Sequence, residues 1–344
     1  MTGPVTSPVF QIHPSLRCNL SCAHCYSWSG PSVSTSLEPR IVCDAIEDAA
    51  GLGYGTISVS GGEPLLYPAL AEILAFAKSL QLRTTVTTNG SLLDARRLDP
   101  IAPFLDLLAI SLDGDAVEHE RLRRDPRSYR RIVRGIDAVR SRNIAFGFIH
   151  TLTQSSWEHI EAIVAFAAET GAALVQVHPL ELVGRATEDL AESLCDETTL
   201  AQVYVLVQLL NLRHGGKPVV QYDILHAPSA MRAPEALYAD PATHHAPSVK
   251  AENLAILVLE ADGTVVPMTF GFGRAYAVAN LKRERLSDAW PRFARDGYPR
   301  FRRLCRRVHA AMTHPEAPSF VNWYELLHNA SLKKKRGTSS PAPV

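Results

Sequence analysis

The 344-residue chain is expected to fold as an α/β protein, an open, TIM-like (β/α)6 partial barrel followed by a small α+β extension. Three observations lead there. Runs rich in apolar and β-branched residues alternate with amphipathic stretches in six units over the first half of the chain. The middles of those runs show little polar alternation, the pattern of parallel strands covered by helices. Past Pro179 the rhythm changes, and Ala261-Asp262-Gly263 between two β-rich runs signals a hairpin.

In chain order the expected strands are Val9–Leu16, Thr56–Ser60, Arg83–Thr88, Leu107–Leu112, Ala145–Leu152 and Leu174–Pro179. Helical patterns fall at Glu38–Leu52, Pro68–Leu80, Leu93–Ile101, Ser128–Ser141 and Ser156–Thr170. Right-handed crossovers would set the strands side by side and parallel, with chemistry at their C-terminal ends. Gly51-Leu52-Gly53-Tyr54-Gly55 follows a helix and precedes a strand, the reverse of a dinucleotide loop, and reads as a helix cap. Beyond Pro179 come a long helix over Glu188–Arg213, a run at Pro218–Ile224, a Pro/Ala/His-rich loop or lid at 226–250, the hairpin and a helix at Leu286–Phe293. The expected division is a core barrel at 1–215, the loop or lid at 216–250, a small extension at 251–330 and a disordered basic tail at 331–344.

Composition narrows the class. With 46% hydrophobic and 20% charged residues, global disorder is excluded. The 35 basic and 35 acidic residues cancel, so no bulk field draws the protein to nucleic acid or to an anionic membrane. Gly and Pro show no period, which excludes collagen-like structure. The first residues lack the basic and apolar regions of a signal peptide, and no apolar run approaches the ~20 residues of a membrane span. A cytoplasmic location is expected, with no membrane partner.

Three of the six cysteines lie together in Cys18-Asn-Leu-Ser-Cys22-Ala-His-Cys25-Tyr26, directly after the first strand. The C-x3-C-x2-C spacing lets a short loop wrap three thiolates around one centre, either zinc or an iron–sulfur cluster. Zinc needs a fourth ligand, for which His24 is the nearest candidate. Three thiolates on a 4Fe–4S cluster would instead leave one iron open to a small molecule. Cys43 and Cys195 read as a small buried hydrophobe and a helix-start residue, and Cys305 stands alone in a basic run.

The triad followed by the aromatic Tyr26 resembles the signature of the radical S-adenosylmethionine (radical SAM) superfamily. The resemblance extends from Val9 to about Arg185 through Gly61-Gly62-Glu63-Pro64, Thr87-Thr88-Asn89-Gly90, Ser111-Leu112-Asp113-Gly114 and Gly184-Arg185-Ala186. It implies one 4Fe–4S cluster on Cys18, Cys22 and Cys25, and S-adenosylmethionine bound beside it near Tyr26, Gly61, Gly62, Glu63, Asn89, Ser111, Asp113 and Arg123. The two glycines would let backbone approach closely. Glu63 suits an ammonium or ribose hydroxyls, or else a helix N-terminus. Ser111 and Asp113 offer a hydroxyl and an acceptor, or simple turn chemistry. Arg123 would grip the cofactor carboxylate, or belong to a solvated basic face with Arg121, Arg124 and Arg127.

Leu254–Trp290 resembles the C-terminal SPASM or twitch extension of the branch with auxiliary clusters, but Met268 stands where a ligating cysteine is expected. A thioether is a poor ligand for such a centre, so the extension is expected to hold no cluster. His150 and His178, near two strand ends, are further candidates for the pocket mouth. His244-His245 reads as exposed loop. The resemblance implies a 5′-deoxyadenosyl radical that takes hydrogen from a ribosomally made peptide or, alternatively, from a small molecule. A flavodoxin- or ferredoxin-type electron donor is implied, and for a peptide a free-standing leader-recognition protein. From the triad alone, a non-catalytic iron–sulfur redox or sensor protein is the other class.

Overall fold

The structure, a computed structural model, describes residues 7–234, 237–238, 251–314 and 316–333. Strands β1 (Val9–Ile12), β2 (Thr56–Val59), β3 (Arg83–Thr88), β4 (Leu107–Ser111), β5 (Phe146–Leu152) and β6 (Leu174–Pro179) pair in sequence order, all parallel. Strand β7 (Val219–Tyr222) continues the series beside β6. The short β8 (Leu225–His226) pairs with β12 (Phe320–Val321) in a separate ribbon. The hairpin forms as β9 (Ile256–Leu259) and β10 (Thr264–Pro267), with β11 (Ala279–Asn280) on its far side. Strand β9 then joins β1 in parallel, so a single ten-stranded sheet runs β11-β10-β9-β1-β2-β3-β4-β5-β6-β7. No closed barrel forms among the described residues.

The helices are α1 (Pro39–Gly51), α2 (Leu70–Ser79), α3 (Ala95–Leu98), α4 (Ala116–Arg123), α5 (Ser128–Arg140), α6 (Ile160–Thr170), α7 (Ala186–Asp189), α8 (Glu197–Arg213), α9 (Ala227–Ala230), α10 (Leu286–Arg292), α11 (Tyr298–Ala311) and α12 (Trp323–Leu332). Helix α1 opens on a first-turn proline and buries Val42, Ala45, Ile46 and Ala49, one face of a 3.6-residue period. The single helix expected over Glu188–Arg213 is broken: Leu194 is extended, and the Asp196 carboxylate accepts from Thr199 N at 2.7 Å to start α8 afresh. Helix α4 begins on Asp115, which caps Glu118 N, and ends at left-handed Arg124. No helix of the described residues is long and apolar enough to cross a membrane. His244 and His245, most of the expected lid and most of the basic tail lie outside the described residues.

The sheet separates two environments. Phe10, Ile12, Ile57, Val59, Val86, Leu108, Ile110, Phe148, Val175 and Val177 are fully buried on one face, each contributing about 1.5–3 kcal/mol. On the other face Gln11, Ser58, Ser60, Thr87, Ser111, Thr151, Gln176 and His178 line a cavity. The strands therefore do alternate with a period of two, in contrast to the expected uniform apolar runs, because small polar residues were hidden among β-branched ones. The C-terminal segment is tied to the front of the chain by more than β9. Tyr54 OH donates to Leu254 O at 2.9 Å, and Arg285 sits among Asp44, Glu47 and Asp48 of α1.

Candidate functional site

The cavity, about 530 Å³, opens at the C-terminal ends of β1–β7. Cys18, Cys22, Cys25, Tyr26, Gly61, Gly62, Asn89, Ser111 and Arg123 all line it. Glu63 and Asp113 do not stand among its lining residues.

The thiols sit on the loop that leaves β1, and two glycine-bearing turns grip that loop from either side. At its start, Gly62 N donates to Ser15 O at 2.8 Å and Glu63 N to Arg17 O at 2.9 Å. A Cβ on Gly61 would lie 2.5 Å from Ser15 O, and one on Gly62 would lie 2.2 Å from Arg17 O. These glycines thus admit the stem of the cysteine loop itself. At its other end, Gly184 (φ 63°) leaves no room for a Cβ beside Cys25 O and Tyr26 O, and Arg185 N donates to Cys25 O at 3.0 Å. The Arg185 guanidinium donates to Cys22 O at 2.9 Å and Ser29 O at 2.6 Å, and lies over the Trp28 ring. Ala23 N adds a bond to Leu122 O of α4 at 2.8 Å.

All three cysteines are free thiols. Each sulfur meets a polar group: Leu20 N (3.4 Å) and Asn89 Nδ2 (3.7 Å) donate at Cys18, an Arg123 guanidinium nitrogen (3.9 Å) donates at Cys22, and Ser27 Oγ (3.5 Å) is the hydrogen-bond partner of Cys25. Burial pushes the Cys18 thiol up to about 12, so a bound positive group is needed to hold it as thiolate. Donors aimed at sulfur suit thiolates that carry the charge of a metal centre. Among the described residues no three His, Cys, Asp or Glu side chains converge on a single ion. His24 lines the cavity, but its Nε2 lies 3.7 Å from Asp113 Oδ2, and burial followed by Arg123 lowers it to about 4.

Glu63 and Asp113 are internal braces. Glu63, 1% exposed, accepts from Leu65 N at 3.0 Å, Thr88 Oγ1 at 2.7 Å and Asn89 N at 2.9 Å, and so sets the turn that aims Asn89 at Cys18. Asp113 is fully buried; its Oδ2 takes two guanidinium nitrogens of Arg123 at 2.7 Å, and Oδ1 accepts from Thr151 N at 2.9 Å. Burial opposes its charge, yet Arg123 holds its carboxyl well below the usual range. Asp113 N in turn donates to His119 Nδ1 at 3.1 Å, which fixes α4 against β4. Arg123 is therefore the one arginine of its run with a buried guanidinium, while Arg121 and Arg124 pair with Glu118 and Asp189 at the surface. Ser111 presents its side chain to the cavity.

Tyr26 is 37% exposed and packs edge-on to His13 and Phe270. Met268, at φ 69°, lines the cavity next to Thr269 and Phe270. Cys305 is buried, while Cys43 and Cys195 are half-buried against the core. His150 is wholly internal, between Leu112 O and Ser156 Oγ, whereas His178 reaches the cavity. Gln11, Gln176, Glu181, Asp223, Tyr324 and His328 also line it. These residues belong to no motif, and the period-two polarity of β1 and β6, overlooked in the sequence, is the signal that could have found Gln11 and Gln176.

Residues 12–167 match the Radical SAM superfamily. An AdoMet-dependent heme synthase of Methanosarcina barkeri is 31% identical over 177 residues, half of this chain and half of that protein. The sporulation killing factor maturation protein SkfB of Bacillus subtilis is 26% identical over 198 residues, 57% of this chain and 47% of that protein. The chain thus spans about half the length of the curated relatives it matches. Among solved structures, Streptococcus suis SuiB bound to S-adenosylmethionine has a TM-score of 0.64 at 18% identity, covering 83% of this chain and 65% of that one. Native anSMEcpe with bound AdoMet has a TM-score of 0.63 at 14% identity, covering 94% and 95%. At those identities the likeness is one of fold, and it reaches past the domain match into the C-terminal strands. Residues 12–167, the stretch that carries the cysteine loop and the strand-end turns around Gly62, Asn89 and Asp113, thus form a domain of the radical SAM superfamily.

Proposed function

We propose that this protein is a radical enzyme that holds one 4Fe–4S cluster on Cys18, Cys22 and Cys25, binds S-adenosylmethionine beside it, and abstracts hydrogen from a substrate in the same cavity. When bound, the cluster and cofactor supply the electron and the 5′-deoxyadenosyl radical. The observation that carries this reading is three free thiols on one doubly clamped loop, each sulfur faced by a polar group.

The chain's own residues hold, orient and screen. Leu20 N, Asn89 and Arg123 place hydrogens at Cys18 and Cys22 and so stabilise their charge, and the Ser27 hydroxyl can do the same for a Cys25 thiolate. Arg123 is charged at any working pH, and its pairing with Asp113 offsets the cost of burying it. Ser58, Ser60, Thr87, Ser111 and Thr151 offer short polar contacts to a cofactor without filling its space. Tyr26 and Phe270 give the cavity an aromatic wall.

For the substrate we favour a ribosomally made peptide. The SuiB fold, solved also with its precursor peptide SuiA, covers 83% of this chain, and SkfB is a maturation protein. A small molecule is the second reading, favoured by the heme and Fe-coproporphyrin III synthases among the relatives. An external reductant of flavodoxin or ferredoxin type and, for a peptide, a separate leader-binding partner complete the proposal.

Anaerobic reconstitution should give about four irons per chain, as expected of one cubane on three thiolates. About eight irons would refute the single cluster. The reduced protein should release 5′-deoxyadenosine from S-adenosylmethionine, and Cys22→Ala should abolish that release; cleavage that survives the replacement would refute the assignment.

A further inference from the structure

The cavity contains a polar group that neither the thiols nor the motif residues engage. On its β6–β7 side His178 bridges two carboxylates, with Nδ1 2.8 Å from Asp223 Oδ2 and Nε2 3.5 Å from Glu181 Oε1. Gln176 Nε2 donates to the same Asp223 oxygen at 2.7 Å. Asn322 Nδ2, at the start of α12, donates to the same Glu181 oxygen at 2.7 Å. Every one of these donors falls on one oxygen of its carboxylate. Asp223 Oδ1 and Glu181 Oε2 have no hydrogen-bond partner among the described residues, and both residues line the cavity, with side chains 23% and 17% exposed.

The charges do not balance. Burial opposes protonation of His178, yet its two carboxylate partners hold it up at about 10, so one imidazolium faces two carboxylates. Nearby, burial and then Glu181 push Glu325 of α12 up to about 7, against the opposing pull of His178. Three rings, Tyr26, Phe270 and Tyr324, line the same cavity, and aromatic faces attract cations. An anionic group would meet like charge here, and an apolar one would strip water from two acceptors without replacing it. A cationic group brings N–H donors and positive charge to carboxylate oxygens that lack both.

We infer that Asp223 and Glu181, set in place by the positioning residue His178, receive an ammonium or guanidinium group of the substrate and so select amine- or guanidine-bearing substrates. The inference rests on the proposed radical chemistry only in identifying the bound cation as substrate. For a peptide that group is a lysine or arginine side chain or an N-terminal amine.

Saturation-transfer NMR on the anaerobically reconstituted holoenzyme with S-adenosylmethionine tests it, using cadaverine and agmatine as probes and adipate and hexanamide as comparisons. Both cationic probes should bind in the millimolar range. Asp223→Asn and Glu181→Gln should each weaken that binding about tenfold, the loss of one charged hydrogen bond, and adipate should show no transfer. Circular dichroism melting checks the fold of each variant, and Glu181→Gln carries the test if Asp223→Asn does not fold. Adipate or hexanamide binding as well as cadaverine, amine binding unchanged in the folded variants, or no binding of either amine would overturn the inference. Release of 5′-deoxyadenosine by the wild-type protein is followed alongside. Its failure with amine selectivity intact sinks the radical chemistry and leaves the cation site standing; normal release without amine selectivity does the reverse.

Discussion

Replacing Arg185 should loosen the cysteine loop while leaving the sheet intact. Its guanidinium donates to Cys22 O at 2.9 Å and Ser29 O at 2.6 Å, two charge-assisted bonds to backbone that spans the triad. Such bonds contribute about 1.5–3 kcal/mol each when sheltered. Arg185 is half-buried, so Arg185→Ala should cost about 2–3 kcal/mol of loop order, roughly 30- to 150-fold in the retention of whatever the loop binds. The assay is the rate of iron loss to a chelator from the reconstituted protein, with thermal melting as a control on the fold. Arg185→Lys should fall between the two, because an ammonium is a point donor and cannot span both carbonyls. Chelation of Arg185→Ala at the wild-type rate would refute the clamp, as would a variant whose melting collapses along with its iron retention.

Three further substitutions probe other joints. Gly62→Ala puts a Cβ 2.2 Å from Arg17 O, a backbone atom that cannot swing aside, so a loss of about 1–3 kcal/mol in denaturant unfolding is expected, with poorer iron loading. Asp113→Asn strands a buried guanidinium and should cost about 3–5 kcal/mol, whereas the double variant Asp113→Leu/Arg123→Met should regain most of that stability but load iron poorly. The folded pKa of His178 is raised, so its contribution to stability is complete below its ordinary value near 6.5 and is lost as pH rises toward about 10. Its side chain is 37% exposed, so screening limits the effect to about 1 kcal/mol. Melting curves of wild type and His178→Gln should therefore converge at high pH; a gap that widens with pH would contradict the bridge.

Much of this architecture is legible in the sequence, and the failures have physical causes. Arg83–Thr88 and Leu174–Pro179 coincide with the observed β3 and β6, the first an unbroken β-branched run and the second a period-two pattern, neither with a competing helical face. Helix α4 escapes notice because Ala-Val-Glu-His-Glu-Arg-Leu-Arg carries no apolar stripe; it is built on an Asp cap and on the buried His119 and Arg123. The thiols were evident because their spacing is itself the chemistry. The stations of Glu63 and Asp113 were not: an acidic residue in a strand-end turn reads the same whether it faces a cofactor or a neighbouring turn, and only the partners Thr88, Asn89, Arg123 and Thr151 tell the two apart. Asp223, Glu181 and Tyr324 converge from elements far apart in the chain, which no local pattern can encode.

The pairing of β9 with β1 governs how the molecule can be made. Strand β1, whose end launches the cysteine loop, gains one parallel neighbour from β2 within about fifty residues, but the other only from Ile256–Leu259. During synthesis β1 is therefore an edge strand, with a row of unsatisfied amides and carbonyls, until most of the chain has emerged. Premature iron insertion would act on a loop whose root is open on one side. A chain cut at residue 215 would keep all three thiols and both clamps, yet leave that edge bare and prone to associate with other copies. The last strands of the sheet act as a late latch, closing the strand that launches the cysteine loop only after the six other parallel strands have emerged.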